Sequence, residues 1–297
     1  MGMGKDIAQQ FPRAKNVFAA VDEALGIALS ALMWEGPEDE LTLTHNAQPA
    51  ILTHTLAVKA VVDSALSIKV AAGHSLGEYS AYQAAGSLEL ADAARLVRKR
   101  GELMLEAGRM RPGTMTAVLG LETGQVEELC QTASRDAAVV VAANMNAPDQ
   151  TVISGDPSAV RAAEEKCKEA GAKRVLPLRV SGAFHSPLME PAQIGLRHEL
   201  SQVPFSDPRF PVIANASGEP VTNADEARVM LGEQLTSPVR WVQSMVRAAD
   251  HAGAGIRFVE LGPGKVLSGL LRRIVPEADS ISLGTAGDIN RFLEEDG

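Results

Sequence analysis

Apolar residues along the chain follow two spacings. In the longer segments an apolar residue recurs every three or four positions, as on the buried face of a helix. This repeat predicts helices over residues 4–26 with an interruption near Pro12, 51–64, 88–107, 187–203, 225–234, 239–252 and from Gly262 to Ile274. Residues 46–49 supply the start of the second helix, and residues 36–39 are predicted as a loop.

Other segments are short and continuously apolar, which is typical of strands buried on both faces. Such runs predict strands at residues 68–72, 211–215 and 256–262. Strands that alternate with helices indicate an α/β fold with a mostly parallel sheet.

The middle of the chain, residues 111–180, has a pattern of its own. Strands are predicted at 114–121, 138–146, 150–155 and 173–180, and helices at 122–134 and 157–171, with a hairpin turn at 146–149. The resulting order, β-α-β-β-α-β, is that of the ferredoxin-like unit. We therefore predict a small domain of residues 111–180, inserted into a large domain of residues 1–110 and 181–297.

Composition excludes several classes of protein. The 297 residues are 45% hydrophobic and 22% charged, with a formal net charge of −9. This balance is that of a globular protein and argues against nucleic-acid binding. No apolar run has the length of a membrane span, and the N-terminus has no signal-peptide core. The two cysteines, Cys130 and Cys167, lack metal spacing and fit a reducing compartment.

The first candidate for chemistry is the G-x-S-x-G sequence of residues 73–77. It lies between a predicted strand and a predicted helix, which is the context of a nucleophile elbow. The turn would expose the Ser75 hydroxyl, and the helix N-terminus behind it would offer N–H groups to a developing oxyanion.

A nucleophilic serine needs a base, and His185 is the best candidate. It follows directly on the strand predicted to end at residue 180, at the rim where α/β sheets place their sites. The alternative is a structural loop histidine. His74 adjoins Ser75, so the turn is expected to point its ring away, and the remaining histidines lie in helices or a loop: His45, His54, His198 and His251. No acidic residue stands out as a partner for the His185 ring, and a backbone carbonyl could orient it instead.

Arg100 is the second clue. On the helix of residues 88–107 it falls on the apolar face with Val97 and Met104, whereas Arg95 and Arg98 point elsewhere. A buried arginine must be paired, and a planar guanidinium suits a substrate carboxylate. The alternative is an ion pair within the protein. Residues 262–265, Gly-Pro-Gly-Lys, open a helix and either bind an anion or form a simple turn.

Several motifs together resemble malonyl-CoA:acyl-carrier-protein transacylases. They are GHSLGEYSA (73–81), LVRKRGELM (96–104), SGAFHSPLM (181–189) and VELGPGKVLSGLLRRI (259–274), with NAQPA (46–50) and SPVRW (237–241). The resemblance covers essentially the whole chain in order. It implies an α/β-hydrolase-like large domain with a parallel sheet and an inserted ferredoxin-like small domain.

The resemblance also implies roles for individual residues. Ser75 would be the acylated nucleophile, His185 its general base held by backbone carbonyls, and Arg100 the partner of the malonyl carboxylate. Leu76 would supply an oxyanion N–H, and Gln48 would lie near the acyl pocket.

Phe184, directly before the histidine, resembles the malonyl-type residue whose bulk disfavours an α-methyl branch. The implied reaction is ping-pong transfer of malonyl from malonyl-CoA to the phosphopantetheine thiol of acyl carrier protein, in fatty-acid synthesis. It needs no cofactor and no metal. We expect a monomer, with Arg272 and Arg273 as candidates to meet the acidic carrier.

One departure from the family concerns the N-terminus. The family begins with a strand and a G-Q-G-S-Q segment whose glutamine is the second oxyanion donor, and no equivalent precedes Lys5 here. Loss of one such donor typically costs roughly two to three orders of magnitude in rate. We therefore expect a first strand to be missing from the large domain. Two alternatives stay open: a serine hydrolase or thioesterase, and a truncated, low-activity carrier-binding homologue. The expected location is the bacterial cytoplasm, or a mitochondrial or plastid matrix if a transit peptide has been lost.

Overall fold

The structure, a computed structural model, describes residues 1–180 and 182–296. Its helices are α1 Lys5–Gln10, α2 Pro12–Leu25, α3 Leu29–Glu35, α4 Glu38–Thr42, α5 Thr44–Val62, α6 Gly77–Ala84, α7 Leu90–Met110, α8 Thr123–Ala133, α9 Pro157–Glu169, α10 Glu190–Gln202, α11 Ala224–Glu233, α12 Trp241–Ala252, α13 Val266–Ile274 and α14 Ala286–Asp296. Its strands are β1 Ala71–Ala72, β2 Thr114–Leu119, β3 Val140–Ala147, β4 Gln150–Gly155, β5 Arg174–Pro177, β6 Val212–Ile213, β7 Pro220–Val221, β8 Arg257–Leu261 and β9 Asp279–Leu283. The predicted mixture of helices and strands is confirmed.

The predicted parallel sheet is divided into separate pieces. β1 pairs in parallel with β6, which pairs antiparallel with β7, and β8 pairs in parallel with β9. A cavity of about 1040 Å³ is lined by both β1 and β8. β1 is an edge strand, and two of the five residues predicted as strand 68–72 are paired. Continuous apolar runs predicted the places of β1, β6 and β8, although β1 and β6 are shorter than predicted, and they did not predict the separation into sheets.

The helix before the elbow is longer than predicted. α5 begins at Thr44, so Pro49 lies inside it, and its ring nitrogen cannot donate to the carbonyl of His45. That carbonyl instead accepts a hydrogen bond from Arg98 Nη1 at 3.1 Å. Gly101 lets α7 approach this end of α5, since a Cβ there would lie 2.6 Å from the His45 Cα. The close contact brings Gln48 and Arg100 side by side.

The segment from β2 to β5 has the predicted order, β-α-β-β-α-β. Its strands form an antiparallel sheet in the order β3-β4-β2-β5. α8 and α9 bury one apolar cluster with this sheet, which includes Val126, Ile153 and Val160. β5 ends at Pro177 rather than residue 180, and Ser181, the first residue of the predicted loop 181–185, lies outside the described residues.

Two predicted boundaries differ from those observed. α12 begins at Trp241 rather than Val239, because Val239 pairs with β3: its N–H donates to the Ala143 carbonyl at 2.8 Å, and its carbonyl accepts from the Met145 N–H at 2.9 Å. The loop predicted at residues 36–39 is shorter, since α4 begins at Glu38. β7, β9 and α14 were not predicted. None of the helices in the described part of the chain has the length and apolarity that a bilayer crossing requires.

The glycines of the elbow provide a matched test of this packing. A Cβ on Gly73 would lie 2.0 Å from the Gly77 carbonyl oxygen, whereas one on Gly77 would meet nothing within 4 Å. We expect Gly73→Ala to lower the melting temperature by about 6 °C or more through overpacking, and Gly77→Ala to change it little. Equal melting temperatures for the two variants in a thermal unfolding scan would contradict this packing.

Candidate active site

Ser75 lies at the turn between β1 and α6, and its backbone is held in the left-handed region with φ 50°. For a residue other than glycine this conformation costs about 1–3 kcal/mol and needs support from its surroundings. Asn215 Oδ1 accepts from the Ser75 N–H at 2.6 Å, and Asn215 Nδ2 donates to the Gly73 carbonyl at 2.8 Å. Gln234 Nε2 donates to the Ser75 carbonyl at 2.9 Å. The side-chain amides of Asn215 and Gln234 therefore bind both the N–H and the carbonyl groups of the elbow backbone.

His185 meets the serine as predicted. The Ser75 hydroxyl lies 2.8 Å from His185 Nε2, and His185 Nδ1 lies 3.0 Å from the Gln234 carbonyl oxygen. Because a carbonyl only accepts, Nδ1 carries the proton and Nε2 presents its lone pair to the hydroxyl. The ring is thus oriented by a backbone carbonyl, and the arrangement is that of a general base beside a nucleophile.

The surroundings of His185 keep its ring neutral. Burial, and next the positive charge of Arg100, lower its pKa to about 3, against a smaller opposing effect of the Gln234 carbonyl. The side chain is 3% exposed. At neutral pH the imidazole is therefore unprotonated, and its Nε2 lone pair faces the Ser75 hydroxyl.

Arg100 lies on the buried face of α7, as its position in the helical repeat predicted, and is 1% exposed. Its Nη2 donates to Ser75 Oγ at 3.0 Å and to Gln234 Oε1 at 2.9 Å, and its Nη1 donates to Gln48 Oε1 at 2.5 Å. Every one of these acceptors is neutral. Within the described residues no carboxylate lies in direct contact with this guanidinium, and its Nε has no hydrogen-bond partner. The charge of Glu78 acts on it only from a longer distance. A guanidinium in this situation can pair directly with a carboxylate that a ligand brings.

Gln48 contributes from α5. Besides accepting from Arg100, it directs its Nε2 to the sulfur of Met104 at 3.3 Å. The side chain is buried and holds one edge of the guanidinium plane. Gln48 therefore lies next to the charge that a substrate carboxylate would meet.

Leu76 and Phe184 complete the predicted set. No hydrogen bond from the Leu76 N–H is found among the described residues, so this donor at the start of α6 is available to an oxyanion. Phe184 is half-buried and packs against the sheet face formed by Met115, Ala117 and Val152. Phe184 also packs against the large apolar core that contains Leu76, so it lies between that core and the β2–β5 sheet.

Other predicted candidates lie away from this cluster. His74 points away from Ser75, as expected: its Nε2 contacts Asn146 Oδ1 at 2.8 Å, and its ring packs 5.3 Å from that of Trp241. Arg273, on α13, is paired with Asp149. Residues 262–265 form the turn between β8 and α13, with positive φ at Gly262 and Gly264. The described residues hold no group of His, Cys, Asp or Glu suited to a metal ion.

Three residues of the site were missed by sequence reasoning: Glu78, Asn215 and Gln234. Asn215 ends a predicted strand and Gln234 ends a predicted helix, so each is a polar residue at the tip of an apolar element. Position at an element end could have marked them as site residues, since α/β proteins place their sites there. Their partners could not be predicted from the local sequence pattern. Gln234, for example, contacts Arg100, Glu78 and Ser75, which lie 134–159 residues away in the sequence.

Comparison with known proteins places this geometry in context. Residues 1–288 match the acyl transferase domain family. A malonyl CoA-acyl carrier protein transacylase of Bacillus subtilis is 45% identical over 295 residues, which cover 99% of this chain and 92% of the relative.

Solved structures agree with this match. The crystal structure of an acyl-carrier-protein S-malonyltransferase from Bartonella henselae superimposes with a TM-score of 0.93 at 41% identity, covering 100% of this chain and 95% of that one. A malonyl-transacylase solved in complex with its type II PKS acyl-carrier protein gives 0.93 at 37% identity, covering 99% and 95%.

The protonation state of His185 can be measured directly. We expect its ring to stay neutral, with the proton on Nδ1, from about pH 8 down to about pH 5, because burial and Arg100 disfavour the imidazolium. Nitrogen-15 spectra of histidine-labelled protein report this state, and a His185→Gln sample assigns the signals. A His185 ring that becomes protonated near pH 6.5 would contradict the expected pKa.

Proposed function

The chain belongs to the acyl transferase domain family, and from that membership we propose that it transfers malonyl from malonyl-CoA to the phosphopantetheine thiol of an acyl carrier protein. The observation that carries the proposal is Arg100: a buried guanidinium that is hydrogen-bonded to the nucleophile and has no carboxylate in direct contact among the described residues. An acyl group attached to Ser75 would bring its own free carboxylate to this cation. The names of the relatives give the same reaction, with acyl carrier protein as acceptor.

In the first half of the reaction, His185 Nε2 takes the proton of the Ser75 hydroxyl as Oγ attacks the thioester carbonyl. The carbon–sulfur bond then breaks, the proton passes from His185 to the departing CoA sulfur, and malonyl remains as a serine ester. In the second half, His185 takes the proton of the pantetheine thiol, and the thiol attacks the ester. Collapse returns the proton to Ser75, so His185 acts as base and acid in turn.

Arg100 provides selectivity for an acyl group that carries a charge. With malonyl bound, two ions of opposite sign are paired in a buried site, which is a strong interaction. With acetyl bound, the guanidinium is left with neutral partners, and the site loses that interaction. Gln48 orients the guanidinium, and Phe184 narrows the space beside the acyl group against an α-methyl branch.

The oxyanion of each tetrahedral intermediate forms next to Ser75. The Leu76 N–H is the donor that this chain supplies, and the N-terminus of α6 adds the positive end of its dipole. We propose no metal and no cofactor for these steps, since a base, a nucleophile and an oxyanion donor are sufficient for acyl transfer.

The proposal includes the architecture and setting. Residues 1–110 and 181–297 form an α/β-hydrolase-like large domain, and residues 111–180 a ferredoxin-like small domain, supported by the strand order β3-β4-β2-β5. The protein acts as a monomer. Bacterial relatives favour the cytoplasm as its location.

Labelling with radioactive malonyl-CoA tests the reaction. We expect one stable label per chain on Ser75, none in Ser75→Ala, and transfer of the label to added phosphopantetheinylated acyl carrier protein. Rapid release of free malonate without carrier would identify a hydrolase or thioesterase instead and would overturn the proposal.

The role of Arg100 is tested by its substitution. Arg100→Ala should lower kcat/KM for malonyl-CoA by about two orders of magnitude or more and remove the preference over acetyl-CoA, because a buried charge pair is lost. Arg95→Ala is the matched control on the same helix, since the Arg95 side chain is 58% exposed, and it should leave both values nearly unchanged. A malonyl preference that survives in Arg100→Ala would refute this role.

A further inference from the structure

Glu78 is a buried carboxylate that the proposed reaction does not use. It lies three residues after Ser75, in the first turn of α6, and is 0% exposed. Its Oε2 accepts from the Gln234 Nε2 at 2.7 Å and from the Asn215 N–H at 3.0 Å, while its Oε1 has no hydrogen-bond partner in the part of the chain that the structure describes. A carboxylate with one unpaired oxygen in this position is costly for the fold, so its presence calls for a compensating charge.

The compensating charge is reached through one amide. Gln234 donates from Nε2 to Glu78 and accepts at Oε1 from Arg100 Nη2 at 2.9 Å. Its negative end therefore faces the guanidinium and its positive end faces the carboxylate. The reverse orientation of this amide would place its NH₂ group against the guanidinium and its oxygen against the carboxylate, and both contacts would be repulsive. Glu78 and Arg100 thus form a buried pair with a polar group between them.

The charges around Glu78 leave Arg100 as its main counter-ion. The titratable groups that interact with it are Arg100 on α7 and Tyr79 and Tyr82 on its own helix. Burial raises the pKa of Glu78 to about 7, and its hydrogen bonds and Arg100 oppose that rise. Arg100 is the sole cation of this set.

Resting on the proposed function, we propose that Glu78 is a positioning residue that affects substrate specificity. Through Gln234 it provides the counter-charge of Arg100 in the empty site, and the carboxylate of the bound acyl group takes over that role. When malonyl binds, a second anion faces the same guanidinium. The two carboxylates repel each other, so malonyl binds best when Glu78 has taken up a proton. Glu78 therefore limits how strongly the empty site attracts a charged acyl group.

Glu78→Gln separates charge from structure. Its amide oxygen can take the place of Oε2 and accept both hydrogen bonds, and its NH₂ group then lies where Oε1 has no partner. We expect the ratio of kcat/KM for malonyl-CoA to that for acetyl-CoA to fall about three- to tenfold in wild type between about pH 6 and pH 8, as Glu78 ionises. In Glu78→Gln the ratio should stay constant and match the low-pH wild-type value.

Proton uptake provides an independent measurement. The Ser75→Ala variant lacks the nucleophile, so malonyl-CoA can bind to it but its acyl group cannot be transferred. Isothermal titration calorimetry in two buffers of different ionisation enthalpy measures the number of protons taken up on binding. We expect a fractional uptake near pH 7 in Ser75→Ala and none in Ser75→Ala/Glu78→Gln.

The outcomes distinguish this inference from the proposed function. Equal uptake in both proteins, or a selectivity ratio with the same pH dependence in wild type and Glu78→Gln, would overturn the role of Glu78. Glu78→Ala serves as the structural comparison, because it removes the acceptor and should lower the melting temperature and both rates together. A wild-type protein that labels Ser75 but shows no such pH dependence refutes only this inference, whereas absence of labelling refutes the function itself.

Discussion

A buried guanidinium that touches no carboxylate of the described residues is the constraint on which the rest of this site depends. Arg100 cannot reach water, and its hydrogen bonds go to neutral oxygens of Gln48, Ser75 and Gln234. Each of those partners belongs to a different element. Burial of the cation thus depends on hydrogen bonds from α5, the elbow and the end of α11. These three elements must be correctly positioned for the site to form.

The same cation sets the chemistry of its neighbours. Its field helps to keep His185 neutral, so the base is available without an acidic partner. A carboxylate beside His185, as in a Ser-His-Asp triad, would raise the imidazole pKa and would also compete for Arg100. A backbone carbonyl orients the ring without adding a charge. The use of a carbonyl rather than a carboxylate to orient His185 is therefore linked to the proposed recognition of a negatively charged acyl group by Arg100.

Local pattern predicted those parts of the molecule that depend on one element. Arg100 was marked by its place on the apolar face of a helix, and Ser75 by a turn between strand and helix. Asn215 and Gln234 were not marked, because their importance lies in contacts with distant residues. The separate sheets were also missed, since an apolar run reveals that a strand is buried but not which strand it will pair with.

The pairing of Val239 with β3 has a mechanical consequence. The two hydrogen bonds join the β2–β5 sheet to the chain only a few residues beyond Gln234, and the His74–Asn146 contact lies beside them. Gln234 holds the Ser75 carbonyl and accepts a hydrogen bond from Arg100, so a displacement of the β2–β5 sheet along this edge would be transmitted through a few residues of chain to the nucleophile and to the buried cation together.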